Sequence, residues 1–353
     1  MHLYGFLRLT PVTVTFIISV SVLRRLSMSS VPYSRYLIYP VPWYSFLIVI
    51  GASLAVFLAC RKEQKAGFPK DTVIDLAFWI LPFGIIGARL YYVIFSWDQF
   101  SGDLLSVLRV WEGGLAIYGG VIAGLIVLFL FARRRRLSAL LLCDIIVPGL
   151  ALAQSIGRWG NWFNIEAYGF NVTGTSICFF PLAVQVPSDQ YAWHLATFFY
   201  ESVWDFIVFL FLTILWHKPY RKRGDLFFFY LFLYGAGRLI IEEMRLDSLY
   251  ASSVRISQLL SVLLCTFVIA VFYISARRRS PLPVPVRFIL IPFALVFSFF
   301  MLFCMITGCC LYTLPVTCIL LVLLLYALYM IFCLFTVYHR LIHSEVRNAD
   351  IQA

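Results

Sequence analysis

Arginine, asparagine and carboxylate side chains gather at a few places in an otherwise apolar sequence. Arg158, Asn161, Asn164 and Glu166 lie within one segment, GRWGNWFNIEAYG (157–169). Guanidinium groups bind phosphate oxygens through two parallel hydrogen bonds, and asparagine adds neutral donors and acceptors. The segment therefore predicts a site for an anionic, phosphate-bearing ligand.

A second charged group follows in YGAGRLIIEEMRLDS (234–248). Arg238 and Glu242 stand four residues apart, on one face of a helix, and Arg245 comes next. Glu166 and Glu242 are candidates to orient the arginines or to accept a proton. A simpler interpretation stays open, in which Arg238 and Glu242 only neutralise each other within a membrane helix.

Other candidates are weaker when each is considered alone. Arg89 offers one more guanidinium, but its long side chain would also suit the membrane interface. Tyr118 is equally typical of an interfacial tyrosine. The surrounding GGLAIYGGVIAG (113–124) predicts close packing of helices through small residues. Gly169 would let the backbone approach a ligand or turn sharply.

Composition identifies the class of protein that must position these residues. Of 353 residues, 62% are hydrophobic and 13% charged, and the mean hydropathy is +0.91. Soluble domains are closer to half apolar and a quarter charged. The net charge of +11 comes from basic clusters between apolar stretches, which argues against nucleic-acid binding. The nine cysteines show neither metal-ligand nor redox spacing.

Apolar windows predict an all-α, polytopic transmembrane protein. A seven-span core is followed by a C-terminal two-span hairpin. The apolar stretch 9–23 predicts a further N-terminal helix, either interfacial or spanning. The predicted spans are 43–60, 73–96, 114–132, 139–156, 196–216, 225–244, 255–276, 287–309 and 313–336. The corresponding regions are an N-terminal extension (1–41), a catalytic core (42–280) and the hairpin with its tail (281–353).

The distribution of basic residues predicts the orientation of the spans. Basic clusters follow the first, third, fifth and seventh spans, beginning at Arg61, Arg133, Lys218 and Arg277. Such loops face the cytoplasm, so segments 97–113, 157–195 and 245–254 face outward. The candidate side chains, together with Glu201 near the start of the fifth span, then lie toward the outer face. An anionic lipid headgroup in the outer leaflet would suit this set.

Several segments together resemble the prolipoprotein diacylglyceryl transferases. GRWGNWFNIEAYG (157–169) is similar to the family signature G-R-x-G-N-x-x-N-x-E-x-x-G, and the resemblance extends over roughly residues 42–276. The other matching stretches are PWYSFLIVIG (42–51), GIIGARLYYVIF (84–95), WEGGLAIYGGVIAG (111–124), FYESVWD (199–205), YGAGRLIIEEMRLDS (234–248) and RISQLLS (255–261).

The resemblance implies a reaction and its partners. Family members move the diacylglyceryl group of phosphatidylglycerol onto the lipobox cysteine thiol of a prolipoprotein signal peptide. A thioether forms, glycerol phosphate leaves, and neither cofactor nor metal is needed. The resemblance also implies a multi-pass protein of the bacterial inner (cytoplasmic) membrane, with its active site toward the outer face.

The resemblance also implies roles for individual residues. Arg158, Arg238, Glu242 and Tyr118 would be catalytic. The residues that it implies for substrate binding are Tyr44, Asn161, Asn164, Glu166 and Gly169, and the guanidinium groups of Arg89 and Arg245 are expected to bind substrate by their chemistry and location. Tyr118 stands where many members have histidine, so we expect it to orient the substrate while Glu242, another carboxylate or water removes the proton. The stretch HLATFFYE (194–201) lacks the family's proline, and His194 is displaced by one residue.

Two other classes of function remain open at the level of sequence. A transporter or flippase for an anionic lipid or solute would use the same arginines, but would be expected to have paired broken helices near the membrane midplane. An inactive scaffold is also compatible with the departures at Tyr118 and His194.

Overall fold

A computed structural model describes residues 31–32, 34–219, 221–248, 250–251, 254–279, 286, 291–307 and 316–352. Nine α-helices lie within these residues, and three two-stranded antiparallel sheets connect some of them. The helices are α1 (Trp43–Glu63), α2 (Thr72–Phe95), α3 (Ile117–Arg134), α4 (Ala139–Asn164), α5 (Thr197–Trp216), α6 (Asp225–Met244), α7 (Ile256–Arg279), α8 (Ile291–Thr307) and α9 (Val316–Gln352). The strands are β1 (Tyr36–Ile38), β2 (Val41–Pro42), β3 (Ala183–Val186), β4 (Ala192–Leu195), β5 (Tyr250–Ala251) and β6 (Val254–Arg255).

The helices confirm the predicted all-α membrane protein. Within the described residues, seven helices (α1 to α5, α7 and α9) are long and apolar enough to cross a membrane. Helix α6 is outside this group and carries Arg238, Glu242 and Glu243. Helix α8 contributes the shorter apolar stretch Ile291–Leu302. The predicted N-terminal helix over 9–23 lies outside the described residues.

Two helices extend well beyond their predicted spans: α9, which ends at Gln352 instead of residue 336, and α4, next to the candidate site. The apolar window of α4 ends at residue 156, but the helix continues to Asn164. Helix α4 packs against α1, α5 and α6, so tertiary contacts support about two further turns that hydropathy alone does not predict. The first half of GRWGNWFNIEAYG is therefore held on a rigid helix.

Close contacts between small residues hold α2 against α3. A Cβ atom built on Gly119 would collide with the backbone of Gly87, and one built on Gly87 would lie 2.7 Å from the Gly119 carbonyl oxygen. The small-residue pattern in 113–124 predicts this type of contact. The predicted packing is therefore present where the pattern is densest.

A small cap covers the end of the bundle where α4 ends and α5 begins. This cap (residues 165–196) contains the β3–β4 hairpin. Phe180 and Val184 pack there in an apolar cluster with Phe198 of α5, and Trp159 of α4 packs against that cluster. The cap thus fixes the path of the chain from Ile165 back to α5.

Carboxylates at the opposite end of the bundle connect the helices. Asp144 of α4 accepts the Gly224 and Phe227 backbone N–H groups at 2.7 and 3.0 Å, at the start of α6. Asp225 accepts the Tyr338 hydroxyl of α9 at 2.8 Å. Carboxylates suit helix N-termini because the backbone N–H groups there lack partners. Helix α9 is in this way attached to α6.

Candidate active site

The turn after α4 folds Glu166 back over the preceding asparagines. Ile165 ends the helix at φ 55°, and Ala167 follows at φ 56°. Left-handed backbone is rare for a β-branched residue, and such strain persists where surrounding contacts require it. The Glu166 Oε1 atom accepts Asn161 Nδ2 at 2.8 Å and Asn164 Nδ2 at 3.2 Å. The signature segment therefore forms the end of α4, and hydrogen bonds from Asn161 and Asn164 to Glu166 hold the turn that follows it.

A buried carboxylate of α5 gathers the arginines from α4 and α6. Glu201 Oε1 lies 2.5 Å from Arg158 Nη2 and 2.9 Å from Arg238 Nη1. Its Oε2 atom lies 3.7 Å from Arg245 Nη1. Arg238 also pairs with Glu242 through Nη2 and Oε2 at 2.6 Å. We call these five residues, Arg158, Glu201, Arg238, Glu242 and Arg245, the Arg–Glu cluster.

Exposure divides the Arg–Glu cluster into a buried and an accessible layer. The side chains of Glu201 and Glu242 are 3% and 1% exposed, whereas those of Arg158 and Arg238 are 22% and 15% exposed. The carboxylates hold the arginines from beneath, and a ligand would meet guanidinium groups first. This arrangement is suited to an anion.

Most N–H donors of Arg158 make no hydrogen bond among the described residues, and its side chain is 22% exposed. Among the described residues, only Nη2 of Arg158 forms an ion pair, with Glu201. Arg245, in contrast, donates Nε and Nη2 to the two carboxylate oxygens of Asp247 at 2.9 and 2.8 Å. Arg158 is thus better placed than Arg245 to bind a phosphate.

The Arg89 guanidinium is fully hydrogen-bonded within the protein. All five of its N–H groups donate to backbone carbonyl oxygens of the loop between α2 and α3, at 2.6 to 3.3 Å. The carbonyl groups belong to Ser106, Val107, Arg109, Gly113 and Gly114. A guanidinium has five donors, so this geometry leaves none for a phosphate.

Tyr44 and Gly169 contact the signature through close packing. A Cβ atom on Gly160 would lie 2.5 Å from Cδ2 of Tyr44, so the tyrosine ring rests on α4. Gly169 donates its N–H to the Leu195 carbonyl at 2.8 Å and forms an isolated bridge with Arg245. A Cβ atom on Gly169 would collide with the Met244 carbonyl oxygen. Glycine is needed where these backbones meet.

Tyr118 belongs to the α2–α3 contact. Its half-buried ring lies 6.4 Å from the Tyr91 ring. Within the part of the chain that the structure describes, no hydrogen bond or ion pair joins Tyr118 to the Arg–Glu cluster. The substrate-orienting role expected of Tyr118 stays a prediction.

Glu201 is the central residue that sequence reasoning did not include in the site. Glu166 and Glu242 were expected to position the arginines. Glu242 does contact Arg238, whereas Glu166 contacts the asparagines and Glu201 joins both arginines. The available signal was the position of Glu201 within FYESVWD and near the start of an apolar span. The long-range pairing itself has no sequence signature.

The fold and the cluster define a polytopic helical membrane protein with a buried arginine–carboxylate site at one end of the bundle. Residues 33–274 match the model of the family described as prolipoprotein diacylglyceryl transferase. The chain belongs to this family.

Curated relatives agree with that assignment. The phosphatidylglycerol–prolipoprotein diacylglyceryl transferase of Streptococcus mutans is 44% identical over 241 residues, 68% of this chain and 92% of that protein. The enzyme of the same name from Enterococcus faecalis is 43% identical over 69% of this chain and 88% of its own length. The one from Limosilactobacillus reuteri is 40% identical, over 69% and 90%. None of these comparisons supports the transporter alternative.

Proposed function

We propose that this protein transfers the diacylglyceryl group of phosphatidylglycerol to the lipobox cysteine of a prolipoprotein. The thiolate sulfur attacks the terminal glyceryl carbon, a C–S bond forms, and the C–O bond to the phosphate breaks. Glycerol phosphate leaves with the bonding electrons. The thiol proton is transferred to a base of the protein or to water, which balances the step.

The accessible guanidinium layer above two buried carboxylates carries this proposal. Arg158 and Arg238 approach from different helices and meet at Glu201. Two guanidinium forks match the oxygens of one phosphodiester. Their positions are fixed before substrate arrives, so little reorganisation is needed when charge develops on the leaving phosphate. Family membership supplies the identity of that phosphate ester.

The arrangement of the charges, and not their sum, favours an anionic substrate, because the guanidinium groups are more exposed than the carboxylates of Glu201 and Glu242. Arg158, Arg238 and Arg245 offer three positive charges, and Glu201, Glu242 and Asp247 balance them when ionised. A neutral lipid would gain little from the guanidinium layer. An anionic headgroup would replace water on Arg158 and Arg238 and strengthen their interactions as glycerol phosphate departs.

Removal of the thiol proton needs a base near the Arg–Glu cluster. The Glu242 Oε2 atom is buried and lies 2.6 Å from Arg238 Nη2, but this contact does not have the geometry of a hydrogen bond. We assign Glu242 as the first candidate base, with another carboxylate or water as the alternatives. Tyr118 and Tyr44 would line the path of the substrate. Arg89 would act indirectly, by shaping the loop between α2 and α3.

The proposal places the enzyme in the bacterial cytoplasmic membrane with the Arg–Glu cluster toward the outer face. The basic loops that begin at Arg61 and Arg133 would then be cytoplasmic. A secreted precursor anchored by its signal peptide would reach the cluster from the outer side. The lipobox thiol would therefore arrive at the depth of the phospholipid headgroups.

Purified protein, phosphatidylglycerol and a lipobox peptide provide the test. Mass spectrometry should show one diacylglyceryl group on the peptide cysteine, and a peptide with serine in place of that cysteine should remain unmodified. Phosphatidylglycerol that changes leaflet in proteoliposomes without any modified peptide would instead favour the transporter class.

A further inference from the structure

A histidine in the cap has hydrogen-bond acceptors on both sides of its ring. His194 lies in β4 and is buried. Its Nδ1 atom is 2.8 Å from the Gly169 carbonyl oxygen, and its Nε2 atom is 2.8 Å from Asp189 Oδ2. A carbonyl oxygen and an ionised carboxylate can only accept hydrogen bonds. Both contacts can be hydrogen bonds at the same time only if each ring nitrogen carries a proton.

The partners of His194 connect it to the Arg–Glu cluster. Gly169 pairs with Arg245 in an isolated bridge, and the neighbouring Leu246 N–H donates to the Tyr168 carbonyl at 3.3 Å. Arg245 in turn extends Nη1 toward Glu201 Oε2 at 3.7 Å. A change at the His194 ring therefore reaches Glu201 through one backbone pairing and one side chain.

The turn that presents Asp189 is conformationally strained. Gln190 and Tyr191 follow it at φ 48° and φ 58°, a region that non-glycine residues seldom occupy. Consecutive left-handed residues of this kind require compensating contacts. The ion pair between Asp189 and His194 spans the base of this turn and supplies such a contact.

We propose that His194 is a positioning residue whose doubly protonated ring ties Asp189 to Gly169 and thereby holds Arg245 at the Arg–Glu cluster. When pH rises and the ring loses a proton, one nitrogen must present a lone pair to an acceptor. Either the Gly169 or the Asp189 contact is then lost. At a pH above this transition the cap has lost one of the two hydrogen bonds of His194, and at a pH below it both are present. The consequence for transfer rests on the function proposed above.

Few other titratable groups face the ring within the described residues. Tyr168 makes an edge-on contact with it at 5.2 Å between ring centroids. Asp189 is 56% exposed, so its carboxylate is in contact with solvent. Beyond Gly169, the charges of Arg245 and Asp247 are paired with each other. The charge that opposes the imidazolium is therefore that of Asp189.

Replacement of Asp189 by asparagine separates this proposal from a general structural role. The side-chain amide introduced by D189N could donate to a neutral imidazole at Nε2 while Nδ1–H still donates to Gly169. D189N should therefore retain the link without a protonated ring. Because Asp189 is exposed, the variant is expected to fold.

The protonation state can be read by ¹⁵N nuclear magnetic resonance of histidine-labelled full-length protein. The chain has five histidines, and H194Q identifies the signals of His194. At neutral pH we expect two protonated ring nitrogens in the native protein and one in D189N. A neutral ring in the native protein at that pH would overturn the proposal, whatever the enzyme activity.

The pH dependence of transfer tests the positioning role. In the native enzyme, kcat/KM should fall about fivefold as the His194 signals titrate, the effect of one hydrogen bond of ordinary net strength. D189N should lack this phase. A native kcat/KM that does not change across the His194 titration would refute the positioning role. The result from nuclear magnetic resonance does not depend on this measurement. Native protein inactive at every pH would contradict the proposed function instead.

Discussion

Arg158, Arg238 and Arg89 differ in how many N–H groups the protein already uses. Arg89 directs all five to backbone carbonyls, whereas Arg158 and Arg238 pair with carboxylates that lie beneath them. The identical side chain therefore builds a loop in one case and a site in the other. Donor geometry makes this distinction, and residue type alone does not.

Glu201→Gln tests the central carboxylate at the residue scale. The substitution keeps the shape of the side chain but removes the charge that Arg158 and Arg238 share. We expect transfer to fall about 10- to 100-fold, because a hydrogen bond to a charged group contributes about 1.5–3 kcal/mol. The measurement is kcat/KM in the peptide transfer assay.

Asp75→Asn is the matched control for that substitution. Asp75 pairs with Arg135 at 2.7 Å, but both side chains are 45% exposed, and exposed pairs contribute at most about 1 kcal/mol. Its activity should stay within about twofold of the native value. Equal losses in both variants would mean that Glu201 has no special function.

At the scale of elements, Arg89 connects α2 to the loop that precedes α3. Arg89→Lys keeps the positive charge but replaces a five-donor fork by a single ammonium group. We expect faster amide hydrogen exchange over residues 97–116 and a smaller effect over α4. Unchanged exchange in the loop would contradict the structural role given to Arg89.

A second prediction at this scale concerns the contact between α2 and α3. Gly119→Leu would force a side chain against the backbone of Gly87, and overpacking of this kind costs about 1–3 kcal/mol or more. The free energy of unfolding in mixed micelles should fall by that amount. Gly102→Ala is the control, because a Cβ atom there meets nothing within 4 Å and φ is not left-handed.

Sequence alone predicted the elements well and their contacts less well. Apolar windows located nine helical segments, and the basic loops predicted their orientation across the membrane. The last two or so turns of α4 and the β3–β4 hairpin were missed, because polar helix ends and short strands depend on tertiary partners. The signature predicted Arg158 as a site residue and the Arg238–Glu242 spacing predicted Arg238, but neither pattern contained information about their meeting at Glu201.

At the scale of the whole molecule, the C-terminal hairpin is attached to the family-like core. The family match ends at residue 274, yet Tyr338 of α9 bonds to Asp225 and packs its ring 4.8 Å from Phe229. Lipid is as apolar as a helix surface, so packing and hydrogen bonds, not the hydrophobic effect, hold such helices together.

A chain truncated after residue 280 tests the predicted division between core and hairpin. We expect it to retain transfer activity and to unfold at a lower temperature, since no ion pair among the described residues joins the Arg–Glu cluster to α9. Tyr338→Phe should destabilise the protein less than the truncation, and should lower the free energy of unfolding by about 1–2 kcal/mol. Tyr39→Phe, at an exposed position, should leave the free energy of unfolding unchanged. Loss of transfer in a folded truncated chain would place part of the catalytic machinery in the hairpin.

Simultaneous quantification of both reaction products tests the central claim most directly. Native protein should release one glycerol phosphate for each thioether formed on the peptide. Arg158→Ala should abolish both products while remaining folded in the membrane, and Arg135→Ala, at the exposed pair, should preserve both. Near-native yields from Arg158→Ala would contradict the account, because the phosphate would then not be held by the Arg–Glu cluster.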